Sequence, residues 1–198
     1  KRRISLKTKE KILEATKDLI YKKGYHETSI RDILAASDTG KGQFYYYFSS
    51  KKEVCLAVIH AHMDVWQTEL FEDILNAGKQ PEEALEEMLD WIFADHETQI
   101  TYHGCPVGNL IIELSTVDEE YRLLLLELVN QWVKYTKQNI LALSEEKLSD
   151  EEADRQAKAL IAEIQGSILL LKVTQDLSLL RQNFQLIKER LLTSQKVL

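Results

Sequence analysis

The segment Lys41-Gly42-Gln43-Phe44-Tyr45-Tyr46-Tyr47-Phe48 carries the most chemistry of any stretch in the chain. On a helix, Phe44, Tyr47 and Phe48 fall at i, i+3 and i+4 and form one inward face. Gly42, Tyr45 and Tyr46 share the same spacing on the opposite side, flanked by Lys41 and Gln43. An outward face of this kind suits a phosphate-lined groove: lysine and tyrosine hydroxyls bind phosphate, and a glutamine amide can read a base edge. Gly42 removes a side chain where backbone must come close. Lys51 stands in the first turn of the next helix, where free amide groups also favour phosphate. A packed aromatic cluster is the competing reading of Tyr45-Tyr46-Tyr47. It holds for Tyr47, but Phe44 and Phe48 already fill the inward side, which leaves Tyr45 and Tyr46 for a partner.

A second reactive candidate is Cys105, in His103-Gly104-Cys105-Pro106. Pro106 suits the first position of a helix, so Cys105 is expected at its N-cap. There the helix dipole, and a protonated His103, favour the thiolate. The competing reading is a small buried capping residue. Cys55 lies in the apolar run Val54-Cys55-Leu56-Ala57-Val58 and reads as core. His60, His62, His96 and His103 include no pair at i, i+4, so no metal is expected, and no cofactor is implied. Beyond Cys105 and His103 no nucleophile, base or acid pair is arranged for catalysis, so the chain is not read as an enzyme.

The elements that must hold these residues read as helices throughout. Two prolines and seven glycines in 198 residues are few for a strand-rich protein. Ile12, Ala15, Leu19 and Ile20 mark a first helix from about Thr8 to Lys23, closed by Gly24. Thr28 can cap a short second helix bearing Ile30, Ile33 and Leu34. The break Ser37-Asp38-Thr39-Gly40 precedes a third helix over Lys41–Phe48. Two short helices joined by about four residues and braced by a preceding one describe a helix-turn-helix. Ser50–Glu53 has capping-box spacing and opens a fourth helix expected to end near Gly78. Further helices are expected over Pro81 to about Thr101, Pro106 to Ser115, from a Thr116–Glu119 box to Leu143, from a Ser149–Glu152 box to Gln175, and over Ser178–Ser194. The predicted architecture is all-α with about nine helices: a helix-turn-helix domain at 1–51 and a larger helical body at 52–198.

Charge divides the same way. Residues 1–52 hold thirteen Lys/Arg against six Asp/Glu, while the rest holds twelve against twenty-six. A basic head is drawn to a polyanion that repels an acidic body. No run of 18 apolar residues could span a membrane, and the basic N-terminus lacks the apolar stretch of a signal peptide, so a cytoplasmic protein with free thiols is expected.

Thr28-Ser29-Ile30-Arg31-Asp32-Ile33, the Lys41–Phe48 segment and Ser50-Lys51 together resemble the N-terminal signature of the tetracycline-repressor family, over roughly residues 8–60. Lys41, Gly42, Tyr45 and Lys51 match that pattern directly. The resemblance implies DNA contacts from Thr28, Ser29, Arg31, Lys41, Gly42, Gln43, Tyr45, Tyr46 and Lys51, with Arg31 where some members place a base-reading side chain. It departs from the pattern at Tyr47 (commonly His), Gly40 (a Ser or Thr cap), Asp38 (often Gly) and Thr39 (usually apolar).

The same resemblance implies a homodimeric transcription regulator, usually a repressor, that leaves a double-stranded DNA operator when a small-molecule effector binds the body. In such proteins the last two helices pair with those of a second subunit. That role is assigned here to Ile161, Ile164, Ile168, Phe184 and Ile187, on stripes that could equally serve the chain's own core, with Gly166 allowing close helix approach. Ligand-binding candidates are Trp66, Trp91, Tyr102, Cys105, Asn109 and Trp132. The Gly104-Cys105 stretch resembles that of a subgroup in which a cysteine responds to electrophiles and oxidants, so release by thiol modification is a second expectation.

Overall fold

Apolar residues spaced three and four apart fold the first part of the chain into short helices around one core. Helix α1 (Arg2–Lys23) buries Ile12 and Ile20 and ends at Gly24, whose φ of +89° is a left-handed conformation that favours glycine. Helix α2 (Ile30–Ser37) is capped by Ser29, not Thr28: the Ser29 hydroxyl accepts the Asp32 N–H, and the Asp32 carboxylate accepts the Ser29 N–H. Thr28 instead turns inward and donates to the Gly24 carbonyl at 2.7 Å, closing the turn between α1 and α2. Helix α2 ends at Asp38, in the left-handed region at φ 50°, ψ 48°. Helix α3 (Lys41–Tyr47) follows within three residues.

Helix α4 (Lys51–Val65) does not remain an α-helix to Gly78. It passes into a π-helical run, Trp66–Leu75, in which Asn76 N–H reaches the Phe71 carbonyl five residues back. Trp66, Leu70, Phe71, Ile74 and Leu75 are all buried, and the wider winding brings this broad set of large side chains to one side. The side-chain amide of Asn139 donates to the Leu75 carbonyl at 2.8 Å, satisfying an acceptor left at the end of the run.

Helices α5 (Pro81–Glu97), α6 (Pro106–Leu114), α7 (Glu119–Leu143), α8 (Asp150–Thr174) and α9 (Leu177–Ser194) complete the chain. Pro81 and Pro106 each begin a helix, as expected. Asp118, not Thr116, caps α7 by accepting the Glu120 N–H at 2.9 Å. Ser149 caps α8 through the Glu152 N–H. The structure, a computed structural model, describes residues 2–144 and 147–194; nine α-helices, the π-helical run and no strand occur among the described residues.

The helices pack as two compact units. One comprises the chain up to Asp64 together with Pro106–Leu125; the other comprises Val65–Cys105 and the chain from Leu126. The first unit is centred on Ile12, Ile33, Phe44, Phe48 and Val54, with Leu19, Ile30, Leu34, Tyr47 and Ala57 packed around them. Truncating the fully buried Phe44 to Ala is expected to cost about 3–5 kcal/mol. The second unit buries Leu85, Met88 and Leu89 of α5, Trp132 and Thr136 of α7, and stripes on α8 and α9.

Candidate nucleic-acid interface

Helix α3 is fixed from beneath and open above. Phe44 is 0% exposed and Phe48 is nearly so, while Tyr45 is 46% and Tyr46 77% exposed. Lys41, Gly42 and Gln43 are also exposed, and a Cβ added at Gly42 would meet nothing within 4 Å. Tyr47 lies half-buried against the core, its ring edge-on to Tyr46 at 4.8 Å. Lys41 Nζ lies 5.9 Å from the Tyr45 ring centroid, within cation–π range. The result is a short ridge of one cation, one amide and two phenols on a rigid apolar base.

Gln43 has a second task. Gly40 at the N-cap of α3 has no side chain to cap with, and Gln43 Oε1 accepts the Gly40 N–H at 2.9 Å. The side-chain oxygen is thereby committed to the helix, and the amide –NH₂ is the group left for a base edge.

Arg31 is exposed on α2. Ser29 is exposed too, but its hydroxyl is engaged with Asp32. Thr28 is buried, so its side chain is withdrawn from any surface contact. Asp32 also receives Lys23 Nζ at 2.8 Å, and the Lys23 ammonium and the Ser29 N–H and hydroxyl hold its carboxyl far below the usual carboxylate range.

Lys51 is half-buried at the start of α4. Its Nζ sits 4.2 Å from the Tyr25 ring centroid and 3.4 Å from the His26 carbonyl, and burial pulls its pKa down. This places its ammonium against the turn between α1 and α2. The same turn is also held by Glu113 of α6, whose Oε2 accepts the backbone N–H of Tyr25 at 2.8 Å and of His26 at 3.3 Å. Tyr121 adds a hydrogen bond to the Tyr25 hydroxyl at 3.3 Å, and Lys52 pairs with Asp118 at 2.6 Å and Glu120 at 2.8 Å. Sequence spacing offers no sign of Glu113, Tyr121 or Tyr25, because their partners lie nearly 90 or more residues away.

The ligand-binding candidates separate. Trp66, Trp91 and Trp132 form one aromatic cluster in the second unit, with Trp66 edge-on to Trp91 at 6.2 Å and to Trp132 at 5.2 Å. Trp132 Nε1 donates to Met88 Sδ at 3.2 Å, and Trp91 Nε1 to Glu69 at 3.1 Å. Tyr102 exchanges two hydrogen bonds with the Gln175 amide, at 3.0 and 2.9 Å. Cys105 is buried directly before Pro106, at the N-cap position of α6. Asn109 belongs to the first unit, half-buried on α6.

The five residues assigned to dimerisation are buried in the chain's own packing: Ile161, Ile164 and Ile168 on α8, Phe184 and Ile187 on α9. Their stripes serve the contact between α8 and α9 and that of α9 with α5. The apolar residues that remain exposed are Leu169 (61%), Leu170 and Val173 (75%) on α8 and Leu186 on α9. Ala159, Ala162 and Gly166 are exposed too and continue the Leu169–Val173 side of α8 at helical spacing; a Cβ at Gly166 would meet open space.

Among the described residues no group of three or more His, Cys, Asp or Glu could hold a metal, and no helix is long and apolar enough to cross a membrane.

Comparison with known proteins gives a consistent result. Residues 12–58 match the tetR family of bacterial regulatory proteins, and residues 81–185 match the C-terminal domain of LmrA/YxaF-like transcriptional regulators. An HTH-type transcriptional regulator in the lacX 3′ region of Lactococcus lactis subsp. lactis is 55% identical over 181 residues, spanning 91% of each chain. The HTH-type transcriptional repressor DhaR of Mycobacterium sp. (strain GP1) is 29% identical over 188 residues, 94% of this chain and 93% of that one. Among solved structures, the reduced form of E. coli NemR aligns with a TM-score of 0.77 at 22% identity, covering 92% of this chain and 96% of that one. A regulatory protein TetR from Rhodobacter sphaeroides gives 0.74 at 25% identity, covering 91% and 96%.

Proposed function

Because the chain belongs to the tetR family of bacterial regulatory proteins, we propose that it is a homodimeric repressor that holds a pseudo-palindromic operator and leaves it when a small molecule binds or Cys105 is modified. The coarser function is established: it is a DNA-binding transcription regulator of the helix-turn-helix type, not an enzyme. The observation that supports the DNA contacts is the ridge on α3, with Lys41, Gly42, Gln43, Tyr45 and Tyr46 exposed above buried Phe44 and Phe48. Repression is supported by the relative DhaR, a transcriptional repressor.

Dimerisation is assigned to the exposed side of α8 and α9, through Ala159, Ala162, Gly166, Leu169, Leu170, Val173 and Leu186. Small residues there allow close helix approach, and flanking apolar ones supply area to bury. Two recognition helices then enter successive major grooves about 34–36 Å apart. A gel shift on DNA flanking the coding sequence, with sizing of the complex, tests this. Sequence-specific binding of a dimer to two half-sites is expected; a monomer bound at every concentration overturns it.

Release requires an effector that favours the free form over the DNA-bound one. The tryptophan cluster is the candidate lining for a small molecule, and Cys105 is the candidate thiol, at a helix start. Treating wild type and Cys105→Ser with a maleimide or peroxide separates the two routes. Loss of operator binding in the wild type alone supports the thiol route. Equal loss in both, or modification without loss, removes it and leaves the small molecule.

A further inference from the structure

Lys51 and Lys52 are adjacent at the start of α4, and their ammonium groups meet opposite surroundings. Lys52 Nζ pairs with two carboxylates, Asp118 at 2.6 Å and Glu120 at 2.8 Å, so its charge is spent within the chain. Lys51 makes no ion pair among the described residues. Its contacts are neutral: the Tyr25 ring, with its centroid 4.2 Å from Nζ, and the His26 carbonyl at 3.4 Å. Glu113, Glu27 and Asp32 act on it without bonding to it, and burial outweighs them, so its pKa is pulled down. A ring and a carbonyl fix an ammonium without cancelling its charge, and they leave N–H donors over for an anion. An unrestrained lysine loses rotamer freedom when it binds an anion. For Lys51 part of that loss is already made in the free protein.

The ring that restrains Lys51 is itself held. The Tyr25 N–H donates to Glu113 Oε2 at 2.8 Å, and the Tyr25 hydroxyl lies 3.3 Å from that of Tyr121. The two rings meet edge-on at 5.8 Å. Tyr121 is 1% exposed, and its hydroxyl also lies 3.4 Å from the carbonyl of Lys52, the residue after Lys51. Tyr25 is thus tied to α6 by its backbone and to α7 by its side chain, with its ring against the first turn of α4. All of these residues belong to the first unit.

Resting on the reading that Lys51 holds a DNA phosphate, we propose that Tyr25 is the positioning residue of that contact: its ring sets where the Lys51 ammonium stands, and Glu113 and Tyr121 set where the ring stands. Without the ring, Lys51 keeps its charge and loses its place. The phosphate contact then has to be formed by an unrestrained side chain, at the cost of ordering it.

The test follows the affinity of the full chain across salt concentrations, on a duplex that the wild type selects from a random-sequence pool. Lys51→Ala should lower the slope of log affinity against log salt by about 1. Tyr25→Leu should lower it by most of the same amount and weaken binding at low salt about tenfold. Tyr25→Phe, which keeps the ring, should keep the wild-type slope. The double variant of Tyr25→Leu and Lys51→Ala should have the slope of Lys51→Ala alone. A partly unfolded sample binds less at every salt concentration and leaves the slope as it was, so the slope separates positioning from loss of structure. Tyr25→Met, which fills the space without a ring, takes the place of Tyr25→Leu where that chain does not fold. A wild-type slope without the ring, a lowered slope in Tyr25→Phe, or slope losses that add in the double variant overturn the proposal while Lys51→Ala still shows the phosphate contact. An unchanged slope in Lys51→Ala removes the phosphate contact itself, and the proposal with it.

Discussion

Glu113 on α6 accepts the backbone N–H of Tyr25 at 2.8 Å, although 88 residues separate them in sequence. The same oxygen accepts the His26 N–H at 3.3 Å, so one carboxylate satisfies two amide donors left at the turn after α1. Gly24 lies beside it: a Cβ there would stand 2.7 Å from Glu113 Oε1, on a backbone at φ +89°. Hydrogen bonds to a charged acceptor contribute about 1.5–3 kcal/mol. Glu113→Ala should therefore lower unfolding stability by about 2 kcal/mol, and Glu113→Gln by about half that. Gly24→Ala should destabilise through strain and through the clash, and only the clash should disappear in the double variant. Strict additivity in denaturant unfolding would show that the two residues do not interact.

His62 supplies a pH dependence in a window of its own. It is buried on α4, and burial, with the Lys17 charge adding to it, lowers its pKa to about 4 from an ordinary 6.5. In the folded protein the ring stays neutral where the unfolded chain would bind a proton. Its contribution is full above pH 6.5 and is lost as the pH falls toward 4, by up to roughly 3 kcal/mol. Asp32 has a depressed carboxyl, so its contribution is lost in a more acidic range, below the ordinary carboxylate pKa. His62→Phe should flatten the stability profile between pH 6.5 and 4 and leave the more acidic limb. An unchanged slope in that interval would show that His62 is not its source.

The recognition module was legible because its signals are local. Phe44, Tyr47 and Phe48 on one side and Tyr45 and Tyr46 on the other follow from helical spacing alone, and the structure places them so. Cap positions were read less well. Thr28 and Ser29 are adjacent residues of the same type, and which one caps depends on the Thr28 bond to Gly24. The π-helical run was not read from the sequence either: the four-residue steps Trp66, Leu70 and Ile74 also fit an α-helix, which is by far the commoner element, and only Phe71 and Leu75 beside them carry the wider spacing. The stripes on α8 and α9 were correctly apolar, but periodicity cannot say which of two apolar sides a neighbour covers. Ile164 and Ile187 went to the chain's own core, and Val173 and Leu186 were left outside.

If the exposed side of α8 and α9 is the dimer face, as proposed, that division separates assembly from folding. Val173 and Leu169 are largely exposed, so Val173→Glu and Leu169→Glu should keep the helical content and unfolding midpoint of the isolated chain within about 0.5 kcal/mol. Sizing should nevertheless show a shift toward monomer, and operator affinity should fall because two half-sites are no longer held together. Ile164→Asp, at a fully buried position, should instead lose folding cooperativity altogether. A Val173→Glu protein that remains dimeric at low micromolar concentration would place the interface elsewhere.

The DNA contact proposed for Gln43 can be separated from its role in helix capping. Its Oε1 holds the Gly40 N–H, and the residue is exposed on α3. Gln43→Ala removes both, so it should lower stability by about 0.5–1 kcal/mol and relax preference at one base pair. Gln43→Glu keeps an acceptor for Gly40 and places a negative charge in the first turn, where the helix dipole favours it. Stability should therefore be retained or slightly raised. The carboxylate has no donor for an acceptor edge and repels phosphate, so affinity should drop on every sequence and preference should shift toward a base that presents a donor, such as cytosine. Lys51→Ala gives the contrasting pattern. On the proposal that Lys51 holds one phosphate, the variant should weaken all sequences alike and reduce the slope of log affinity against log salt by about 1. Gel shifts over a panel of single-base operator variants at several salt concentrations read both effects. If Gln43→Glu bound every variant with the wild-type order of preference, Gln43 would be a helix cap alone, and the reading of sequence would pass to Arg31 and Tyr46.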